Sequence, residues 1–521
     1  MQRILMMQLV HHLLENSAEA YPAKICLVHK SRSFSFCDLN EKTNQLAHLL
    51  MKHGIHKGDR VGIHLEKSIE EVMATFAITK AGGVFVNLNQ ALKIKQISHI
   101  LNDCSVKCII TSDKLIGNFA PDQLPDSLDR LVVFGKKPAF SLGNAAILSD
   151  DEIGEGKKTN PCMGMDENDL AAILYTSGST GLPKGVMLTH KNIVVGALSV
   201  STYLHNTRDD IILSLLPFSF DYGLNQLMTA FRAGAKVILK AYNMFVNDIV
   251  DIIIREKVTG LAAIPTMWMQ LLQAKNISSS DFKDLRYITN SGGKIPVEYV
   301  KQLRAVFPYT KIYLMYGFTE SFRCTYLDPD QVDRRPDSIG KTIPYSECFV
   351  VNEQGRECGA GEVGELIQRG PLVSMGYWGM PEESAKKIKP NPLTGDPGDL
   401  VCYSGDYVKK DEEGYLYFIE RKDEMIKCSG HRISPTEIEQ LMYENEHIKE
   451  AVALGVPDEL LGQTIKLVVV LKEQGSLTQK DLLNYCKNNL PSYMQPAVVQ
   501  FLVQMPYLSN GKIDRSALKT I

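Results

Sequence analysis

Between Tyr175 and Gly185 the chain reads Tyr-Thr-Ser-Gly-Ser-Thr-Gly-Leu-Pro-Lys-Gly, with four aliphatic hydroxyls, three glycines and one lysine. Hydroxyl donors, open backbone amides and a cation are what a polyphosphate needs. A linker of this composition would have no use for the apolar run before it or the Pro-Lys-Gly after it. The loop is not of the G-x4-G-K-[ST] kind, because Pro183 and Gly185 stand where Gly and a hydroxyl residue are required. Phosphate chemistry of another type is therefore expected.

Other segments carry groups that suit the same ligand. Thr319-Glu320 follows Tyr316-Gly317-Phe318 and offers an oxygen ligand for a hard cation that bridges phosphates. Asp406, in Tyr403-Ser-Gly-Asp406, reads as a carboxylate on a turn, able to accept from two hydroxyls. Ser291-Gly292-Gly293, after the apolar Tyr287-Ile288, lets backbone approach a flat ring. Lys512, in Asn510-Gly-Lys, is a flexible point charge. Taken singly, each has a plainer reading: a helix start, a turn, a core tyrosine, a solvated lysine.

Such groups need a scaffold, and the apolar pattern outlines one. Residues 59–65, 83–87, 106–110, 170–175, 236–239 and 260–264 read as strands, and 68–80 as a helix. This alternation, extended over the first four-fifths of the chain, predicts α/β layers of largely parallel sheets covered by helices. Residues 140–161 lack periodicity and read as a surface connection or a subdomain seam. Past residue 423 the units shorten: a helix at 434–443, strands at 450–455 and 465–471, and a helix at 478–489. The expected division is a large domain, 1–422, and a small α+β domain, 423–521.

At 521 residues a single small module is excluded. Apolar residues make up 44%, charged 22% and aromatic 8%, the balance of an ordinary globular protein. A formal charge of −3 argues against nucleic acid as the main partner. Eleven cysteines include a lone C-x3-C, Cys104 and Cys108, which reads as reduced thiols of a cytosolic protein rather than a zinc site. The opening ten residues do not resemble a secretory signal, and no apolar run is long enough to span a membrane.

The ordered set of motifs resembles the adenylate-forming ligases, which include acyl-CoA synthetases, peptide-synthetase adenylation domains and luciferases. Besides the 175–185 loop, the segments 316–320, 403–406, 421–439 and 510–514 resemble that family's core motifs in order and from end to end. Residues 216–226 and 333–341 resemble, more narrowly, acyl-CoA ligases associated with exosortase A systems. The resemblance implies ATP and Mg²⁺, an acyl-adenylate, and a thiol acceptor, either CoA or the phosphopantetheine of a separate carrier protein. It assigns Thr176, Ser177, Gly178, Ser179, Thr180, Gly181 and Lys184 to the β- and γ-phosphates, Glu320 to the metal and Thr319 to the α-phosphate. Ser291, Gly292, Gly293, Tyr316 and Gly317 would line adenine, Asp406 and Arg421 would hold the ribose, and Lys512 would serve catalysis. Asp423 would be the pivot on which the small domain turns between half-reactions.

For the acid, the resemblance points to Phe220, Asp221, Asn225, Thr289 and Met315, with Trp268 and Ser291 as further candidates. Amino-acid adenylation domains carry a Phe-Asp where Phe220-Asp221 stands, and there the Asp pairs with the substrate ammonium. The following Tyr-Gly-Leu resembles acyl-CoA ligases instead. Both readings stay open at this level, as do a luciferase-like monooxygenase and a degenerate nucleotide-binding scaffold. With no carrier domain after Ile521, a free-standing activating enzyme is expected.

Overall fold

The computed structural model describes residues 9–119, 121–136, 145–176, 183–241, 246–274, 278–422, 424, 426–428, 431–458, 462–490, 494–508 and 510–521. Ser177, Gly178, Ser179, Thr180, Gly181 and Asp423 lie outside them. Among the described residues the strands form four sheets.

The first is seven-stranded. Arg60–His64 pairs in parallel with Val84–Asn87 and Cys108–Ser112, and Arg130–Phe134 and Ala146–Ser149 continue the sheet in parallel. Leu170–Thr176 then runs parallel to Val84–Asn87, and Lys184–Thr189 closes the edge antiparallel to it. The second sheet is nine-stranded, with a central parallel run formed by Lys311–Tyr316, Tyr287–Asn290, Gly260–Ala263, Ile211–Ser214 and Lys236–Leu239. Their Val, Ile, Leu and Ala side chains are buried on both faces, which requires helices above and below. The helix Ile69–Lys80 meets that need: the Ser68 side chain caps it from the Glu71 amide, and it is buried from end to end. Phe76 stacks on Phe231 at 5.4 Å, and one apolar core joins the two sheets.

The parallel architecture agrees with expectation, with three corrections. The segment 140–161 is not wholly a surface connection, since it contributes the edge strand Ala146–Ser149 and the short helix Asp150–Gly154. The strand expected at 106–110 begins two residues later, at Cys108. The α/β rhythm ends before four-fifths of the chain. Glu347–Val351, Val363–Arg369, Ile388–Pro390, Leu400–Lys410 and Leu416–Arg421 form an antiparallel five-stranded sheet. Its strands pair antiparallel, with turns at Asn352 to Gly355 and Asp411 to Gly414 and the short helix Pro381–Lys387 before Ile388–Pro390.

The last sheet, Ile426–Cys428, His431–Ile433, Ile448–Asp458, Gly462–Leu471 and Val498–Leu502, builds the small C-terminal unit with its own core around Ile438, Leu467 and Leu482. Its helix Pro435–Tyr443 starts against Glu420 of the larger unit, whose carboxylate accepts from Thr436 N at 3.2 Å and Thr436 Oγ1 at 2.7 Å. An anion at a helix start is favourable. Further bonds from Tyr299 Oη to Lys449 O, 3.2 Å, and from Thr266 Oγ1 to Gly511 O, 3.2 Å, fix the small unit on the large one.

Candidate active site

Thr176 ends one strand and Lys184 begins the next, and the two are paired across an antiparallel hairpin. The hydroxyl-rich residues 177–181 lie outside the described residues; the strands that flank them form a largely buried ladder. The Lys184 ammonium sits 2.9 Å from Glu383 Oε2 and 5.5 Å over the Tyr377 ring. Tyr377 donates its hydroxyl to Glu320. Glu383 bonds to Lys386 as well as Lys184, and these contacts hold its carboxyl down at about 2. An anion already stands where the lysine would meet phosphate. Glu383→Gln is therefore expected to lower the ATP dissociation constant by about two- to fivefold, the usual worth of a partly exposed ion pair. Calorimetric titration of ATP checks this, and weaker binding would contradict it.

Thr319 and Glu320 lie on the single turn Thr319–Ser321 directly after Lys311–Tyr316. The plain helix-start reading holds only as this short 3-10 turn. Among the described residues, the one group of three or more metal-type ligands is His11, His12 and Glu15, and there Glu15 is already bonded to Lys80 at 2.5 Å. Glu320 stands as a single carboxylate. That donor set suits an ion completed by phosphate oxygens and water, as Mg²⁺ usually is.

Asp406 does not lie on a turn. It sits within the strand Leu400–Lys410, paired with Arg421 across the ladder. The Gly-Asp signal comes from Gly405, whose φ of 80° bends the strand beside a register shift. Asp406 Oδ2 accepts from Tyr316 Oη, and Oδ1 lies 3.7 Å from Arg421 Nε with no hydrogen-bond partner of its own. A buried carboxylate oxygen left unanswered fits a missing hydroxyl donor, as a ribose would supply. Burial pushes this carboxyl up from 3.8 to about 6 despite the Tyr316 bond and Arg421.

The sign of this shift carries a prediction. Between pH 4 and 6 the folded chain holds the Asp406 proton more firmly than the unfolded chain, so the group's stabilisation is complete below that window and is lost as pH rises through it. Asp406→Asn should thus be more stable than the parent by about 1–3 kcal/mol at pH 7 and equal to it below about pH 4. It should bind ATP more weakly throughout. Urea unfolding at both pH values checks the result, and a variant less stable at pH 7 would contradict it.

Tyr287–Asn290 delivers Ser291-Gly292-Gly293. Gly292 has φ 81°, and a Cβ there would stand 3.2 Å from Ile264 and from Phe220 and 3.6 Å from Lys512 Cε. Lys512 is half-buried, with its ammonium 5.4 Å over the Phe220 ring. Desolvation lowers its pKa, opposed by Asp221 on one side and Asp406 on the other. The lysine thus sits against Gly292 and Phe220.

Phe220 and Asp221 open the helix Asp221–Ala233. The loop before them is held by buried donors: Lys67 Nζ bonds to Leu216 O, and Asn87 Nδ2 to Phe218 O at 3.1 Å. Asn225, Thr289 and Met315 come together on a cavity of about 20 Å³, joined by Tyr222. Trp268 does not line it; it is buried in the apolar core beside Leu261 and Met267. Asp221 pairs with a residue that sequence reasoning missed, Arg323, at 3.9 Å. Lys67, Tyr377 and Glu383 were missed as well. Their roles are set by neighbours 57 to 199 positions away, for which the sequence carries no local signal.

Lys184, Glu320, Asp406 and Lys512 are the charges that a nucleotide-dependent, carboxylate-activating enzyme would use. The chain belongs to the AMP-binding enzyme family: that family's model matches residues 14–378, and the model of the AMP-binding enzyme C-terminal domain matches 437–512. Tyrocidine synthase 1 of Brevibacillus parabrevis is 30% identical over 98% of this chain, which spans 44% of that longer protein. A long-chain-fatty-acid–CoA ligase of Bacillus subtilis is 29% identical, covering 97% of this chain and 93% of its own. The o-succinylbenzoate CoA synthetase of Bacillus subtilis, solved with its acyl-adenylate, superposes with a TM-score of 0.83 at 25% identity over 97% of each chain. The chain is thus an enzyme of the AMP-forming ligase family. Among the described residues no helix is long and apolar enough to cross a membrane.

Proposed function

We propose that this chain is an acid–thiol ligase of the acyl-CoA synthetase type. It activates a carboxylic acid with ATP to an acyl-adenylate, releases pyrophosphate and passes the acyl group to CoA or to the phosphopantetheine of a separate carrier protein in the cytoplasm. The observation that carries this reading is the position of Lys512, half-buried over the Phe220 ring and beside Gly292, in electrostatic reach of both Asp221 and Asp406. A carboxylate and an α-phosphate repel each other, and a cation between them offsets that repulsion where the bond forms.

Each residue has a part in that step. Thr176, Lys184 and the loop 177–181 hold the β- and γ-phosphates, and Thr319 donates to the α-phosphate. Glu320 would hold Mg²⁺, which when bound neutralises phosphate charge. Asp406, Arg421, Tyr316 and Gly317 seat the nucleoside with Ser291, Gly292 and Gly293. Residues 1–422 and 423–521 act as separate bodies turning at Asp423, so that Lys512 leaves after adenylation and the thiol reaches the acyl carbon. An amino-acid reading is favoured by Asp221 and by the likeness to tyrocidine synthase 1. Acid-dependent exchange of labelled pyrophosphate into ATP, across fatty, aryl and amino acids, tests the proposal. Exchange with at least one acid is expected, and none across a broad panel from folded protein would sink it.

A further inference from the structure

A carboxylate buried beside the acid pocket must be matched by a positive charge, and the amino-acid reading asks the substrate to bring it. This chain brings its own. Arg323 is 2% exposed and Asp221 5%. Arg323 Nη1 lies 3.9 Å from Asp221 Oδ2, and Nη2 donates to the Asp221 carbonyl at 3.3 Å. The guanidinium is stacked 5.0 Å over the Tyr222 ring, and its Nε has no acceptor. The seat is built for it: Phe322 turns the chain at φ 54°, and Gln368 Nε2 donates to the Arg323 carbonyl at 2.8 Å.

Tyr222 is also a wall of the 20 Å³ cavity, where its hydroxyl and Thr289 Oγ1 are bonded at 2.6 Å. Three further polar atoms of residues that line it are buried without hydrogen-bond partners among the described residues: Asn225 Nδ2, Gln226 Oε1 and Asn206 Oδ1. An apolar tail entering there would leave them unanswered, at a cost for each. A guest oxygen would accept from Asn225 Nδ2, and a guest hydroxyl would in addition donate to Gln226 Oε1 or Asn206 Oδ1. The space admits a group of about one water's size and not a long chain.

We propose that Arg323 is the resident counter-ion of Asp221 and, with Asn225, sets the acid specificity: the substrate is a short carboxylic acid without an α-ammonium, carrying a hydroxyl or oxo oxygen near the carboxylate. This rests on the ligase reading above. An α-ammonium would have to displace or crowd a guanidinium that the fold holds in place, and a plain alkyl acid would strand the polar wall.

The test is acid-dependent pyrophosphate exchange by the full chain with matched acids: propionate, butyrate, octanoate, lactate, pyruvate, 3-hydroxybutyrate and alanine. The hydroxy and oxo acids are expected to exceed their alkyl counterparts in kcat/KM by at least about tenfold, with alanine near background. Arg323→Met should cut that preference to within about threefold and admit alanine through the freed Asp221. Asn225→Leu, which adds no charge and removes none, should raise KM for the hydroxy acids more than it lowers kcat. If Arg323→Met does not fold, the wild-type panel and Asn225→Leu still decide. Highest kcat/KM for octanoate or for alanine overturns the inference, as does unchanged selectivity in both variants. No exchange with any acid, while ATP still binds, overturns instead the ligase reading beneath it.

Discussion

Lys512→Ala is expected to lower acid-dependent pyrophosphate exchange by about 10²–10³-fold while the ATP dissociation constant moves by less than about threefold. The lysine makes no ion pair of hydrogen-bonding length with Asp221 or Asp406. It is a half-buried charge sensed by both, so its worth is realised where two anions meet rather than where nucleotide binds. Thioester formation from a preformed acyl-adenylate should be spared, because on this account the small unit has by then carried Lys512 away. Single-turnover kinetics from each starting point separates the two. Equal losses in exchange and in ATP binding would contradict the role.

The second large effect belongs to a residue with no side chain. Gly292→Ala places a methyl 3.2 Å from Ile264 and Phe220 and 3.6 Å from Lys512 Cε, at a φ of 81° that side chains rarely adopt. The lysine's apolar stem lies in that space. Gly292→Ala alone should therefore reduce exchange by about 10²-fold, and the Gly292→Ala, Lys512→Ala pair should be little worse than Lys512→Ala by itself, since both remove one interaction. Exchange rates of the three variants close the cycle. Additive losses would mean that Gly292 acts through something other than the seat of Lys512.

Much of the site could be read in the sequence because its chemistry sits in short runs. The hydroxyl-rich loop, Glu320, Asp406 with Arg421, and Lys512 stand out by residue type and by the order that the family resemblance gives them, while the hydrogen bond from Tyr316 to Asp406 has no signal in the sequence. What stayed hidden was tertiary. Gly405-Asp406 has the composition of a turn, yet the ladders to Val363–Arg369 and Leu416–Arg421 on either side hold it in a strand. The antiparallel sheet between residues 347 and 421 was submerged in an α/β rhythm that its short turns do not support. Arg323 follows directly on Thr-Glu-Ser-Phe and looks like a surface charge. Only the fold buries it against Asp221, and that contact alters the choice between acyl and amino-acid substrates.

The central claim is that the acid attacks the α-phosphate. Supplying the preferred acid with both carboxylate oxygens labelled as ¹⁸O, together with ATP and the thiol acceptor, and reading the label by mass spectrometry tests this directly. One ¹⁸O in AMP, with unlabelled pyrophosphate, is the predicted result. Label in inorganic phosphate, with ADP as the nucleotide product, would contradict the account.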